Sequence, residues 1–261
     1  MRGPRLAWTF LRIGAMHELQ YRVNFVLSLV QSVVALGTAL AVLALVFSHT
    51  TSLGGWSPAE LLTIMGVHIL IGGVIRSVIQ PNMQRLMEDV QEGTLDYALT
   101  KPADAQLLVS IREFRIWQSV DIAVGAVLIG VSLRLQEYSA GWAGALGFVV
   151  ALLLGAVMIY CFWLVLTIGA FWIVRVDFII ELFEGMYQAG RWPITIYPGW
   201  LRATFTFLVP LAFAITIPAS AVTGRLTPWT LAGAAAFTVL LLAVTRALWR
   251  LGLRHYSGAS A

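Results

Sequence analysis

Charged side chains are scarce in this sequence: 17 basic and 13 acidic residues make up 11% of its 261 positions, against roughly a quarter in a soluble domain. So little charge cannot hydrate the surface of a soluble enzyme of this length. An apolar share of 59% likewise excludes a disordered chain. Cysteine is limited to Cys161, which removes an internal disulfide and with it the stapled secreted scaffolds. Lysine is limited to Lys101. Catalytic signatures are missing as well. There is no G-x-x-x-x-G-K-[ST] run to cradle nucleotide phosphates, and neither G-x-S-x-G, H-E-x-x-H nor C-x-x-C occurs. His17, His49, His68 and His255 lie far apart, and none pairs with a carboxylate at ligand spacing. The expectation is a chain without a catalytic set, and without a metal or cofactor site of its own.

Long apolar runs are what the sequence has instead. A bilayer crossing needs about 20 mostly apolar residues as a helix. Val23–Phe47 supplies the first, with Asn24, Ser28, Gln31 and Ser32 near its start. Leu61–Ile79 supplies the second, with His68 near its middle and Arg76 near its end. A third covers about Ser119–Leu135, and a fourth lies in the apolar run Trp142–Val174. As a helix that run is about 50 Å long, more than the roughly 30 Å hydrocarbon core, so part of it tilts or projects. Trp229–Ala247 makes the last crossing, and 175–227 admits two readings. The fold class is therefore an all-α polytopic membrane protein with about six transmembrane helices.

Two segments stand outside the spans. Residues 1–22 carry Arg2, Arg5, Arg12 and Arg22 among apolar residues at roughly helical spacing. Arg12, His17 and Glu18 interrupt the apolar core that a signal peptide needs, and the expectation is an amphipathic helix at the membrane surface. Residues 81–118 form the longest polar stretch, with six acids and four bases between Arg85 and Arg115. The cations flank apolar runs rather than forming one basic stripe, so the net charge of +4 orients the helices and does not mark nucleic acid as a partner. Six crossings place 15 of the 17 cations on the side of the N-terminus, or 13 if Arg191 and Arg202 lie opposite. Both termini are then expected in the cytoplasm.

Several residues could carry function. His68 and Arg76 lie two helical turns apart, and an ionisable group at membrane depth is a functional candidate by default. The competing role for Arg76 is to reach the interface with its head group. Asp121, just inside the third span, reads as the partner of a nearby arginine. Asp177, Glu181, Glu184 and Gln188 fall on one helical stripe opposite Phe178, Ile179, Leu182, Phe183 and Met186. That pattern fits a surface helix, or a membrane helix turning its acids towards a water-filled cavity. Pro193, Pro198, Pro210 and Pro218 follow. Residues 203–222 are apolar enough to span, yet two prolines break them, which leaves a kinked span or a re-entrant hairpin.

This layout resembles the permease subunits of ABC-2 type ABC transporters, in particular bacterial permeases of about this length. Two stretches carry the resemblance: Glu92-Gly93-Thr94-Leu95-Asp96-Tyr97-Ala98-Leu99-Thr100-Lys101-Pro102, and Arg191-Trp192-Pro193 through Tyr197-Pro198-Gly199-Trp200-Leu201-Arg202 to Pro210. The resemblance implies an N-terminal elbow helix over 1–22, a cytoplasmic coupling segment over 81–118 and an outer re-entrant hairpin over 192–222, in a single transmembrane domain covering 1–261. It makes Glu92, Gly93, Thr94, Leu95, Asp96, Lys101 and Pro102 the docking residues for an ATP-binding subunit. Arg191, Pro193, Tyr197, Pro198 and Trp200 become hairpin residues. His68, Glu181 and Glu184 remain candidates to line a pathway.

It further implies export across a bacterial plasma (inner) membrane, with ATP and Mg²⁺ bound by a partner ATPase, two copies of that ATPase, and a second permease, identical or related. Residues 176–190 then become a short fifth span. The plain alternative makes 203–222 that span. The competing function is a proton-coupled secondary transporter working through Glu181, Glu184 or Asp121.

Overall fold

The computed structural model describes residues 22–136, 141–172 and 177–256. The expected surface helix over 1–22 lies outside the described residues, apart from Arg22 at the start of the first helix. Those residues are helical throughout except for turns and one isolated bridge between Leu53 and Trp56. The all-α polytopic expectation holds. Five helices are long and apolar enough to cross a membrane, and a bent helix pair raises the number to six if it is one span.

Helix α1 covers Arg22–Phe47 and exposes most of its apolar surface, with Ala39 and Leu43 buried. Helix α2 covers Pro58–Gln91, far beyond the apolar run that announced it. Its start is a capping box: the Ser57 hydroxyl accepts from the Glu60 N–H while the Glu60 carboxylate accepts from the Ser57 N–H. Short helices α3 (Asp96–Leu99) and α4 (Ala105–Ser110) follow. Helix α5 covers Ile116–Leu135 and α6 covers Trp142–Ile168. Helix α7 is Asp177–Ala189. The bent pair is α8 (Gly199–Leu208) and α9 (Ala212–Val222), at 79° to each other, and α10 is Pro228–His255.

Proline explains why α2 continues where a break seemed natural. Pro81 has no N–H for the carbonyl of Ser77, four residues earlier. A π-turn over Ile75–Ile79 absorbs the mismatch, and the freed Ser77 carbonyl accepts the Arg115 N–H at 2.9 Å. The same device recurs at Thr204–Leu208 and Ala212–Thr216, each ending two residues before a proline, Pro210 and Pro218.

Small residues set the helix spacing. A Cβ on Gly125 would come within 2.6 Å of the Gly66 carbonyl oxygen, and one on Gly73 within 2.7 Å of the Ile122 nitrogen, so α2 and α5 touch backbone to backbone. Gly155 does the same for α6 and α9, where a Cβ would stand 2.5 Å from Ala214 Cα.

The path of the chain after α6 follows from its anchors. The Thr195 hydroxyl donates to the Gly54 carbonyl at 3.1 Å, and Arg225 donates to the Gly55 carbonyl at 2.8 Å. Both ends of the bent pair therefore sit at one end of the bundle, on the turn that joins α1 to α2. The end of α6 lies at the other, with Ile168 and Phe171 packed over Gly252 near the end of α10. Helix α7 carries the chain between the two ends, about 20 Å at 1.5 Å per residue.

Candidate functional site

The segment between α2 and α5 is polar in sequence but rigidly built. Gly93, at φ +71°, ends α2 in a left-handed conformation, which lets the Thr94 N–H reach the Asp89 carbonyl at 2.9 Å. Asp89 is 3% exposed and gathers the surrounding donors. Its carboxylate takes Arg112 Nη1 at 2.5 Å, Arg85 Nε at 3.4 Å and the Thr94 hydroxyl at 3.2 Å.

Asn82 is fully buried and uses both ends of its amide. Nδ2 donates to the Val78 and Glu113 carbonyls at 2.7 Å, and Oδ1 accepts the Arg112 and Glu113 N–H groups at 2.9 Å. The returning strand of chain is thereby stitched to α2. Arg246 of α10 closes the far side, donating to Gln106 Oε1 at 2.7 Å and to both carboxylate oxygens of Asp104. That guanidinium holds the Asp104 carboxyl below the usual carboxylate range.

On this scaffold the residues singled out in sequence divide into two groups. Leu95 is fully buried and Ala98 nearly so, which fixes α3. Glu92, Tyr97, Leu99, Lys101 and Pro102 are exposed, Tyr97 to 76%, and Gly93, Thr94 and Asp96 are half-buried. Apolar Leu107 is also exposed nearby. A hollow of about 240 Å³ opens among Arg85, Asp89, Tyr97, Lys101 and Arg112. Asp89, Asn82 and Arg112 were not among the residues expected to matter. The sequence signal was present in a Pro-Asn step and an acid within an otherwise amphipathic turn.

A second feature lies inside the bundle. A cavity of about 270 Å³ is bounded by α1, α2, α5, the end of α7 and the residues just after it. Its polar wall comprises Gln31, Ser32, His68, Arg76, Gln118 and Asp121, closed by Gln188 and Arg191. Asp121 is the partner of Arg76, at 2.5 Å, and its other oxygen accepts the Ser32 hydroxyl. His68 is 7% exposed and its ring stacks on Tyr187 at 4.4 Å, while its Nδ1 has no hydrogen-bond partner. The Tyr187 hydroxyl donates to the His68 carbonyl at 2.5 Å. Phe183 and Trp163 extend the stack, joining α7 to α2 and α6.

Sequence placed His68, Glu181 and Glu184 together as pathway candidates. The structure sets His68 on the cavity, leaves Glu181 exposed on α7, and puts Glu184, also exposed, beside buried Phe183 and Tyr187. Glu184 borders a small separate recess with Arg76 and Tyr187. The Asp177 side chain lies outside the described residues.

The bent pair presents Trp200, Phe207 and Leu208 outward and buries Phe205, Val209 and Leu211. Pro193 is buried, and Pro198 is exposed. Arg202 caps the preceding turn, donating to the Thr195 and Tyr197 carbonyls at 2.9 and 3.2 Å. The Tyr197 hydroxyl donates to the Ala189 carbonyl at 2.8 Å, and Arg191 donates to Gln188 Oε1 at 2.6 Å.

No curated protein and no solved structure matches the chain. A family model described as "ABC-2 family transporter protein" matches residues 33–260, which take in five or six apolar helices, the coupling stretch and the bent pair. The chain is thus a multi-pass membrane protein of the ABC-2 transporter family, a permease that is not catalytic by itself and whose family generally works with an ATP-binding subunit.

Proposed function

We propose that this permease is the membrane-spanning half of an ATP-driven exporter in a bacterial plasma membrane, with both termini cytoplasmic. ATP and Mg²⁺ belong to a separate ATPase, present in two copies, which docks on Glu92–Pro102. The observation that carries the reading is the build of this segment. Asn82 and Asp89 hold it against α2, while Tyr97, Leu99 and Lys101 are exposed at its surface. A lever that transmits the movement of a soluble partner needs this combination of a stiff base and an open polar and aromatic face. The basic end of α10, with Arg250 and Arg254, lies at the same end as this segment and fits the cytoplasmic side.

The bent pair α8–α9 is read as a re-entrant hairpin on the outer side, its arms of about 15 Å each reaching half the hydrocarbon thickness. Arg191 and Arg202 then lie outside, against the charge rule, and Arg202 is spent on two backbone carbonyls. A second permease, identical or related, would lie against an open face of the bundle, for which the exposed acids of α7 are a candidate. A proton route through Asp121 is disfavoured, because Arg76 and Ser32 already hold both of its oxygens.

The test is co-expression and co-purification with a candidate ABC ATP-binding subunit, comparing wild type with Tyr97→Ala, Glu92→Arg and the pair combined. Loss of the complex, or of permease-stimulated ATP hydrolysis, is expected with thermal stability unchanged. Intact assembly and coupling in the double variant would remove the docking assignment. Substrate transport by the purified permease alone, driven by a pH gradient, would overturn the ATP-driven reading.

A further inference from the structure

We propose that the cavity between α1, α2, α5 and Arg191 is a binding site for an anionic headgroup: a phosphate, sulfate or carboxylate borne by an amphiphile. The charge on its wall does not balance. Within the cavity Arg76 and Arg191 face a single acid, Asp121, whose two oxygens are committed to Arg76 and Ser32, and Glu184 borders Arg76 only from a separate recess. Arg191 meets only the neutral Gln188 oxygen, and among the described residues no carboxylate comes within ion-pair distance of it. Two cations beside one acid leave an excess of positive charge on the wall, and an anion entering the cavity would offset it.

A second observation points the same way. His68 is 7% exposed, lies on the cavity wall, and carries a ring nitrogen, Nδ1, that has no hydrogen-bond partner among the described residues. Buried polar atoms are nearly always paired. This nitrogen is closed off from the cavity, and a headgroup oxygen or a water reaches it only if the His68 ring turns. Gln31 and Gln118 add neutral polar groups on the α1 and α5 sides.

The rest of the wall says where the remainder of the ligand goes. Leu36, Ala39, Met65 and Ile69 give it an apolar lining. At about 270 Å³ the cavity is smaller than the usual pocket for a whole drug-sized ligand, and suits a headgroup with its first carbons. Beside the cavity-lining residues of α1, Val33 and Val34 are 59% and 61% exposed, so alkyl chains can continue along a helix that faces lipid. This site stands independently of whether the permease is ATP-driven.

The experiment uses the full chain in detergent, with phosphatidylglycerol, phosphatidylcholine or inorganic phosphate as probes, read by native mass spectrometry and thermal shift. Wild type is expected to bind phosphatidylglycerol at least tenfold more tightly than phosphatidylcholine. Arg191→Gln should lose most of that preference without losing stability in phosphatidylcholine. Ala35→Phe, which keeps every charge and fills the cavity from an exposed position on α1, should lose it too. Arg202→Gln, a cation at the same end that bonds only backbone carbonyls, should retain it. Protection by inorganic phosphate that depends on Arg191, with no lipid preference, would assign the same site to a free anion. A wild type without preference for either anion, or an Arg191→Gln protein that keeps the preference, would overturn the site.

Discussion

Arg225 meets Glu60 with two parallel hydrogen bonds, Nε to Oε1 at 2.8 Å and Nη2 to Oε2 at 2.9 Å, while its guanidinium lies 4.5 Å above the Trp56 ring. The same arginine reaches the Gly55 carbonyl, so one side chain ties the start of α10 to the turn before α2. Arg225→Ala should destabilise the protein by about 1–2 kcal/mol, combining a fork-shaped ion pair with a cation–π contact and discounted for its partial exposure. Arg225→Lys keeps the charge but not the fork, and should recover less than half of the loss. Thermal unfolding in detergent reads both. An Arg225→Ala protein as stable as wild type would show that the pair is ornamental.

At the opposite end the balance rests on a buried acid. Removing the charge of Asp89 leaves Arg112 under the coupling segment without its counter-ion, and breaking such a pair costs about 3–5 kcal/mol when fully buried. Arg112 retains some exposure, so Asp89→Asn should cost about 2–4 kcal/mol. The effect should be local first: hydrogen exchange over 92–103 speeds up while α6 and α10 stay protected. Adding Arg112→Gln should give a loss smaller than the sum of the single changes, because both act on one pair. Additive losses would mean that the two residues do not work together.

These two sites also show what could be read from the sequence and what could not. The five long helices follow from apolar length alone, since a run such as Trp142–Ile168 has one physical solution in a bilayer. The true length of α2 did not follow, because Pro81 argues for a stop unless Arg115, 34 residues on, supplies the missing donor. The cavity was half visible. Gln31 and Ser32 interrupt the first apolar run for no local reason, and they turn out to face Asp121 and Arg76. Glu181 and Glu184 of the acidic pattern are exposed on α7, but the direction of that helix depends on Phe183 and Tyr187 packing under Trp163 and His68, a long-range contact that periodicity cannot reveal.

Acid should loosen the coupling segment through Asp104. Its carboxyl is depressed mainly by the hydrogen bond from Arg246, so the ion pair stabilises the fold above the ordinary carboxylate range and is lost as pH falls through the lowered folded value. Both partners are about 40% exposed, and the contribution is below about 1 kcal/mol. The Asp104 side chain also caps α4 by accepting the Leu107 N–H at 3.1 Å, a role that asparagine preserves. Asp104→Asn should therefore be slightly less stable than wild type from pH 7 to about pH 5, and the gap should close only in stronger acid. A gap that widened on acidification would reverse the assignment of cause.

The bent pair α8–α9 depends on Gly155, because the atoms nearest a new Cβ there, Ala214 Cα at 2.5 Å and the Phe213 carbonyl oxygen at 2.8 Å, are backbone and cannot step aside. Gly155→Ala should push α9 off α6 at a cost of about 1–3 kcal/mol, whereas Gly233→Ala, with nothing within 4 Å, should not destabilise. Direction can be tested on the same segment, since native Cys161 is buried and is expected not to label. Pro198 and Trp229 flank the pair and are exposed. Their anchors, Thr195 and Arg225, bond the Gly54-Gly55 turn. Cysteines at 198 and 229 should then label with a membrane-impermeant maleimide from one side, the side of a cysteine at His49 and opposite to one at Lys101. Labelling of 198 and 229 from opposite sides would make the pair a crossing, move α7 out of the bilayer, and place Arg191 at the other surface.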